Sequence, residues 1–144
     1  MANVIKKVSM NQEKYDYSQQ YFEKGMLGWH KQSFHLITAA FETAFHDKKI
    51  DSILDFGCGD GFYGSYLKNY SENVDGMDIS EELKHNNNSI HYRNFIQADL
   101  AGDIENREKY SIVFSSEVIE HVLDYKKFLA NAQSVTQKNG YLIF

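Results

Sequence analysis

The sequence predicts an α/β fold: a mostly parallel sheet with helices on both faces. Three observations predict it. Short apolar runs recur from Ile53 to the C-terminus, bounded by Gly, Asn, Asp and Ser. Between them lie stretches that read as helices, flanked by turn residues. A glycine-dense turn, ILDFGCGDGFYG over residues 53–64, joins the first run to the first such stretch. Strand alternating with helix is how a parallel sheet is built, because each parallel pair needs a crossover connection.

Residues 1–12 are polar. From about Glu13 to Phe45 the pattern is helical, with Phe34, Ile37, Phe41, Ala44 and Phe45 on one face. The Tyr15–Trp29 part, broken by Gly25 and Gly28, reads as a short helix and a loop leading into a longer helix. After Asp47-Lys48-Lys49 the rhythm changes. Strands are expected at Ile53–Phe56, Val74–Met77, Asn94–Ala98, Tyr110–Phe114 and Tyr141–Phe144. Helices are expected at Phe62–Tyr70 and Asp124–Thr136, and another begins after Ser80 as its N-cap. His85–Asn88 reads as a loop. Neither a repeat nor a linker interrupts the chain. Residues 1–50 are expected to form a helical cap segment of one domain and residues 51–144 its core. The last strand, Tyr141-Leu142-Ile143-Phe144, is apolar throughout, like a strand covered on both faces. Nothing follows to cover it, so the core is expected to be cut from a longer protein or paired with a second copy as a homodimer.

The 144 residues suit one domain with a sizeable core. The net charge is −5 and the basic residues cluster no further than pairs such as Lys6-Lys7, which argues against a phosphate-binding nucleic-acid surface. One cysteine, Cys58, allows no intramolecular disulfide and suits a reducing compartment. No apolar run approaches the length of a membrane span and the N-terminus lacks a signal-peptide core, so the expected location is cytoplasmic.

The glycine turn carries the functional signal. Glycine permits positive φ and close backbone approach, and a bare loop ahead of a helix presents amides to a ligand. Gly59-x-Gly61-x-x-Gly64 matches a dinucleotide-binding spacing by letter. The turn, however, begins at Gly57, directly after an acid: Asp55-x-Gly57-x-Gly59-x-Gly61. An acid there repels a pyrophosphate and attracts a cation such as an amino group or a sulfonium. Asp78 ends the second strand, 21 residues past Gly57, where a carboxylate can accept bonds from both ribose hydroxyls. Asp99 and Ser115-Ser116-Glu117 follow strands three and four.

Residues 53–64, 74–80, 94–100 and 110–122 resemble, in order and spacing, the motifs of class I S-adenosylmethionine-dependent methyltransferases. The resemblance spans about residues 51–144 and implies a Rossmann-like sheet, five strands of the family's usual seven being present. It implies that Asp55, Gly57, Cys58 and Gly59 line the methionine end of the cofactor, and that Asp78 holds the ribose. Ile79 would pack on adenine, Asp99 and Leu100 would hold its edge, and Ser115 would lie near the sulfonium. Ser111 and Lys138-Asn139-Gly140 depart from the family pattern at positions that do not touch the cofactor.

Glu117-Val118-Ile119-Glu120-His121-Val122 follows strand four. If a helix turn begins here, Glu117, Glu120 and His121 share one face, where two carboxylates and an imidazole can ligate a divalent metal. The string resembles quinone-biosynthesis O-methyltransferases and small-RNA 2′-O-methyltransferases of the Hen type. The resemblance suggests metal-assisted O-methylation, a metal lowering the pKa of the acceptor hydroxyl. The simpler reading makes His121 a general base or a hydrogen-bonded turn residue. Cys58 reads as a small packing residue. Tyr17, Tyr21 and Trp29 are candidates to close over a sulfonium by cation–π attraction. His30 and His35 are weaker candidates for the cleft.

The expected activity is methyl transfer from S-adenosylmethionine to a small-molecule acceptor, at a hydroxyl oxygen, with His121, Glu117 and Glu120 on the acceptor side. The alternatives are a metal-assisted RNA 2′-O-methyltransferase, a non-catalytic fragment of a larger enzyme, and an NAD-binding oxidoreductase.

Overall fold

The computed structural model describes residues 28–106 and 108–144, with side chains described from residue 33 onward. The chain divides into two compact units, Met1–Lys48 and Lys49–Phe144. In the first, helix α1 spans Gly28–Phe45. Phe41 and Phe45 are buried, their rings 4.8 Å apart one helical turn from each other, and Lys48 lies over the Phe45 ring. Ala44, expected on the same face, is exposed.

The second unit is a five-stranded, all-parallel sheet, which is the predicted architecture. Its strands are β1 (Ile53–Phe56), β2 (Val74–Asp78), β3 (Asn94–Gln97), β4 (Tyr110–Phe114) and β5 (Thr136–Ile143). Their order in the sheet is β3-β2-β1-β4-β5. All four residues of β1 are buried, because it runs through the middle of the sheet with both faces covered. Side chains alternate between faces, and the register decides which packs where. On one face the Phe56 ring meets Phe128, 5.0 Å away, from helix α4 (Tyr125–Ser134), over a core of Leu54, Met77, Val113 and Ala132. Asp55 pairs with Phe114 in register and so shares the other face with it. There Tyr63 meets Phe114 edge-on at 5.0 Å, and Leu83 of helix α3 (Glu82–His85) packs beside Gly76.

Several boundaries differ from the sequence reading. The helix expected over Phe62–Tyr70 has α-helical bonding only at Gly64–Leu67, our α2. Three-residue bonds such as Gly64 N–H to the Gly61 carbonyl and Asn69 N–H to the Tyr66 carbonyl tighten both ends. Ser80 is not the N-cap of α3; Glu81 is, although the Ser80 hydroxyl accepts from the Glu82 amide two residues on. The expected loop at His85–Asn88 includes the last residue of α3 and the start of a 3-10 helix, Asn87–His91, which Asn86 caps through the Asn88 amide. Helix α4 stops at Ser134, and β5 starts at Thr136, five residues earlier than the apolar run. Its first part pairs irregularly: two steps along β4 from Tyr110 to Ile112 match five along β5 from Thr136 to Tyr141. The excess is taken up around Asn139, whose φ is +66°. The expectation that the fifth strand is covered on both faces is not met among the described residues. It lies at the sheet edge, with Tyr141, Leu142 and Phe144 exposed.

Among the described residues no helix is long and apolar enough to cross a membrane.

Candidate functional site

The strand order reverses between β1 and β4, and in open α/β sheets ligands bind outside the carboxyl ends of the strands at that switch point. The glycine loop leaves β1 there. Gly57 donates to the Met77 carbonyl at 2.7 Å and has φ +99°. A side chain at this position would be strained, and its Cβ would fall 2.4 Å from Val118 Cγ2. The bare backbone at Gly57 therefore lets the segment after β4 sit directly on the loop. Gly59 differs: a Cβ built there meets nothing within 4 Å. Its amide donates to Asp78 Oδ2 at 2.8 Å. The open space beside Gly59 is where a ligand can approach the backbone.

Three carboxylates surround this loop. Asp55 is 2% exposed, and burial, offset by a bond from Tyr92 and reinforced by Asp78 and Asp60, pushes its carboxyl up to about 7. Burial also raises Asp60, whose side chain accepts from the Phe62 amide. Asp78 is raised by burial too, although its two oxygens accept from the Ser80 and Gly59 amides, both at 2.8 Å. Those bonds use one lone pair on each oxygen and leave acceptor capacity on both. Among the described residues no cationic side chain stands among the groups that shift Asp55, Asp60 or Asp78. The local charge thus suits a cation and opposes a pyrophosphate.

The other predicted cofactor residues are distributed along the same strand ends. Ile79 is half-buried, and its carbonyl accepts from the Gln97 side chain. Asp99 is exposed and its Oδ1 accepts from the Ala101 amide. Leu100 is buried with its side chain in the hydrophobic core, so only its backbone is left to meet a ligand edge. Ser115 is buried, and its hydroxyl donates to the Phe56 carbonyl at 2.6 Å, tying the end of β4 to the end of β1. Cys58 is buried with its sulfur packed towards Gly76, and burial raises its thiol far above the ordinary range, as for a packing residue. His35 is exposed on α1, and the backbones of Trp29 and His30 lie in its first turn. Tyr17, Tyr21 and the side chains of Trp29 and His30 lie outside the described residues.

The segment after β4 corrects one premise of the sequence reading. Glu117 has φ +58°, left-handed backbone that a helix cannot contain, and only Ile119–His121 form a short 3-10 turn. Glu117, Glu120 and His121 therefore do not share a helical face. All three are exposed, and among the described residues no group of three His, Cys, Asp or Glu lies together as a metal site.

Two residues that sequence reasoning missed join the site. Tyr92 donates from its hydroxyl to Asp55 Oδ2 at 2.6 Å across 37 residues of sequence. Tyr63, within the glycine turn, places its hydroxyl 3.2 Å from Ser116 Oγ and so bridges the loop to the segment after β4. Tyr63 was findable from its place beside the glycines. Tyr92 carries no local signal, because its role depends on a long-range contact.

Sheet order and switch point define a Rossmann-like α/β domain, with the acid-lined glycine loop as its candidate ligand site at the strand ends. The sequence matches the family described as "Methyltransferase domain" over residues 29–144, and the chain belongs to that family. This decides against the dinucleotide-binding alternative that the literal glycine spacing leaves open. The ubiquinone biosynthesis O-methyltransferase of Bradyrhizobium diazoefficiens is 30% identical over 95 residues, covering 63% of this chain and 38% of that protein. The malonyl-[acyl-carrier protein] O-methyltransferase of Hamiltonella defensa is 29% identical over 102 residues, covering 68% of this chain and 38% of that protein. The chain thus spans about two fifths of the length of these curated relatives. A solved structure titled "DhpI-SAM-HEP complex" superposes with a TM-score of 0.73 at 19% identity, covering 94% of this chain and 64% of that one. At that identity the likeness speaks for the fold.

Proposed function

We propose that this chain binds S-adenosylmethionine at the ends of β1 to β4, and that its protein transfers the methyl group to an oxygen of a small-molecule acceptor, a hydroxyl by preference. The observation that carries the reading is the set of carboxylates, Asp55, Asp60 and Asp78, placed around an open glycine loop, where no cationic side chain of the described residues is among the groups that shift them. When bound, S-adenosylmethionine supplies an activated methyl on a sulfonium, so the protein's task is placement and proton management. Asp55 would receive the ammonium of the methionine end. Asp78 has acceptor capacity for the ribose diol, and the open side of Gly59 admits the ligand against the backbone. Ile79 would pack on the adenine, with Asp99 and the Leu100 backbone at its edge. An oxygen acceptor is supported by the names of both relatives above, each an O-methyltransferase. Glu117, Glu120 and His121 face solvent just past the switch point, where an acceptor would enter.

We assign His121 as the group that takes the acceptor proton. His121→Ala is expected to lower methyl transfer by about a hundredfold or more while S-adenosylhomocysteine affinity stays within about threefold, because His121 lies on the exposed 3-10 turn after β4 and not in the glycine loop. The test is transfer of radiolabelled methyl to phenolic acceptors, wild type beside variant, with calorimetry for binding. A variant that loses the nucleoside instead would move His121 to the cofactor side.

A further inference from the structure

We infer that Tyr92 is a positioning residue for the cofactor: its phenol grips one oxygen of Asp55, favours the ionised form of that carboxylate, and leaves the other oxygen for the ligand's ammonium. The inference rests on the cofactor reading above.

The geometry is built for this contact. The hydroxyl reaches Asp55 Oδ2 at 2.6 Å, the short distance of a charge-assisted bond. No bond to Oδ1 is present among the described residues. The ring gets there through space that glycines leave open. A Cβ on Gly64 would lie 2.4 Å from Tyr92 Cε2, one on Gly61 would lie 2.9 Å from it, and one on Gly76 would lie 3.2 Å from Cδ1. Three glycines thus make the channel by which a residue from the segment before β3 reaches the end of β1. Part of the glycine density that reads as a cofactor signature serves this phenol.

Among the described residues the titratable groups facing Asp55 are few. Tyr92 comes from the segment before β3, Asp78 from β2, and Asp60, Cys58 and Tyr63 from the glycine loop. From β4 the register neighbour is Phe114, which carries no charge. Burial, Asp78 and Asp60 all raise the Asp55 carboxyl, and the Tyr92 bond is the influence that lowers it, with the balance at about 7. An ammonium ligand needs the ionised form. Affinity must therefore rise with pH through that midpoint, and removing the phenol must move the rise to higher pH.

The test uses S-adenosylhomocysteine as the probe, titrated calorimetrically between about pH 5.5 and 7.5, below the range where an α-amino group deprotonates. Tyr92→Phe keeps the ring in the glycine channel and removes only the bond. It is expected to bind about tenfold more weakly than wild type near pH 6, with the gap narrowing as pH rises. Asp55→Asn is expected to bind weakly at every pH with a flat profile, and adding Tyr92→Phe to it is expected to change nothing further. The carbon resonance of the Asp55 carboxyl reads the same effect without ligand, its midpoint moving upward in Tyr92→Phe. A wild type that binds while Tyr92→Phe tracks it at every pH, with an unmoved carboxyl midpoint, overturns this inference alone. A wild type that binds at no pH overturns the cofactor reading and the inference together.

Discussion

Asp78→Ala is expected to weaken S-adenosylhomocysteine binding by about a hundredfold or more, the largest loss of affinity from any single change in the site. The carboxylate does two jobs. It accepts from the Gly59 and Ser80 amides and so fixes the loop to the end of β2, and it keeps lone pairs for two ribose hydroxyls. Hydrogen bonds to a charged group contribute about 1.5–3 kcal/mol each, so losing both ligand bonds alone accounts for a hundredfold. Unfolding would not explain the loss. Burial holds the Asp78 carboxyl above its usual range, so the ionised group costs the empty fold stability as pH rises above that range. Removing it relieves that cost while freeing two amides. Calorimetry together with a urea unfolding curve separates the two effects. Affinity unchanged within about threefold, with a folded variant, refutes the ribose role.

The largest expected effect on stability lies at the opposite end of the sheet. Asp75 is fully buried near the start of β2. It accepts from Arg93 Nε at 2.9 Å and Nη2 at 2.5 Å, from the Tyr110 hydroxyl at 2.9 Å and from the Asn94 amide at 3.1 Å. This links β2 to the start of β3 and, past β1, to β4. Asp75→Ala leaves the Tyr110 hydroxyl and the Asn94 amide without that partner, while Arg93 keeps Glu108. A loss of about 3 kcal/mol is expected at pH 7, from two donors left without their acceptor at about 1–3 kcal/mol each. The pH dependence has a definite sign. Burial alone would raise the Asp75 carboxyl, but the bonds from Arg93, Tyr110 and Asn94 outweigh it and hold the group below its ordinary 3.8. A depressed carboxyl contributes stability that is present above the unfolded value and lost as pH falls through the folded one. The gap between wild type and variant in urea midpoint should therefore be full at pH 7 and shrink below about pH 4. A gap under about 0.5 kcal/mol at pH 7 would contradict the role of the network.

The sequence exposed the sheet more clearly than the turns that make the site. β1 and β4 were legible because each is an apolar run bounded by polar residues, and buried parallel strands look like that on both faces. β5 was mis-bounded because Thr136–Asn139 pair through an irregular stretch whose polar side chains give no strand rhythm. The glycine loop and Asp78 stood out because positive φ and close approach demand glycine, and a carboxylate after a strand is a local pattern. Glu117 could not be read this way. Its left-handed backbone is rare for glutamate, and it stands next to Val118, which packs on Gly57 from a distant part of the sequence. Tyr92 is the deepest case, since nothing around residue 92 announces that its hydroxyl meets Asp55. Its signature was written instead in Gly61, Gly64 and Gly76, whose missing side chains make room for it.

Calorimetric titration of the chain with S-adenosylhomocysteine, beside NAD at the same pH, bears most directly on the central claim. The account predicts micromolar binding of the first, stronger at pH 7.5 than at pH 6, and none of the second, because three carboxylates oppose a pyrophosphate. Binding of NAD, or no binding of S-adenosylhomocysteine by the folded chain, would contradict it.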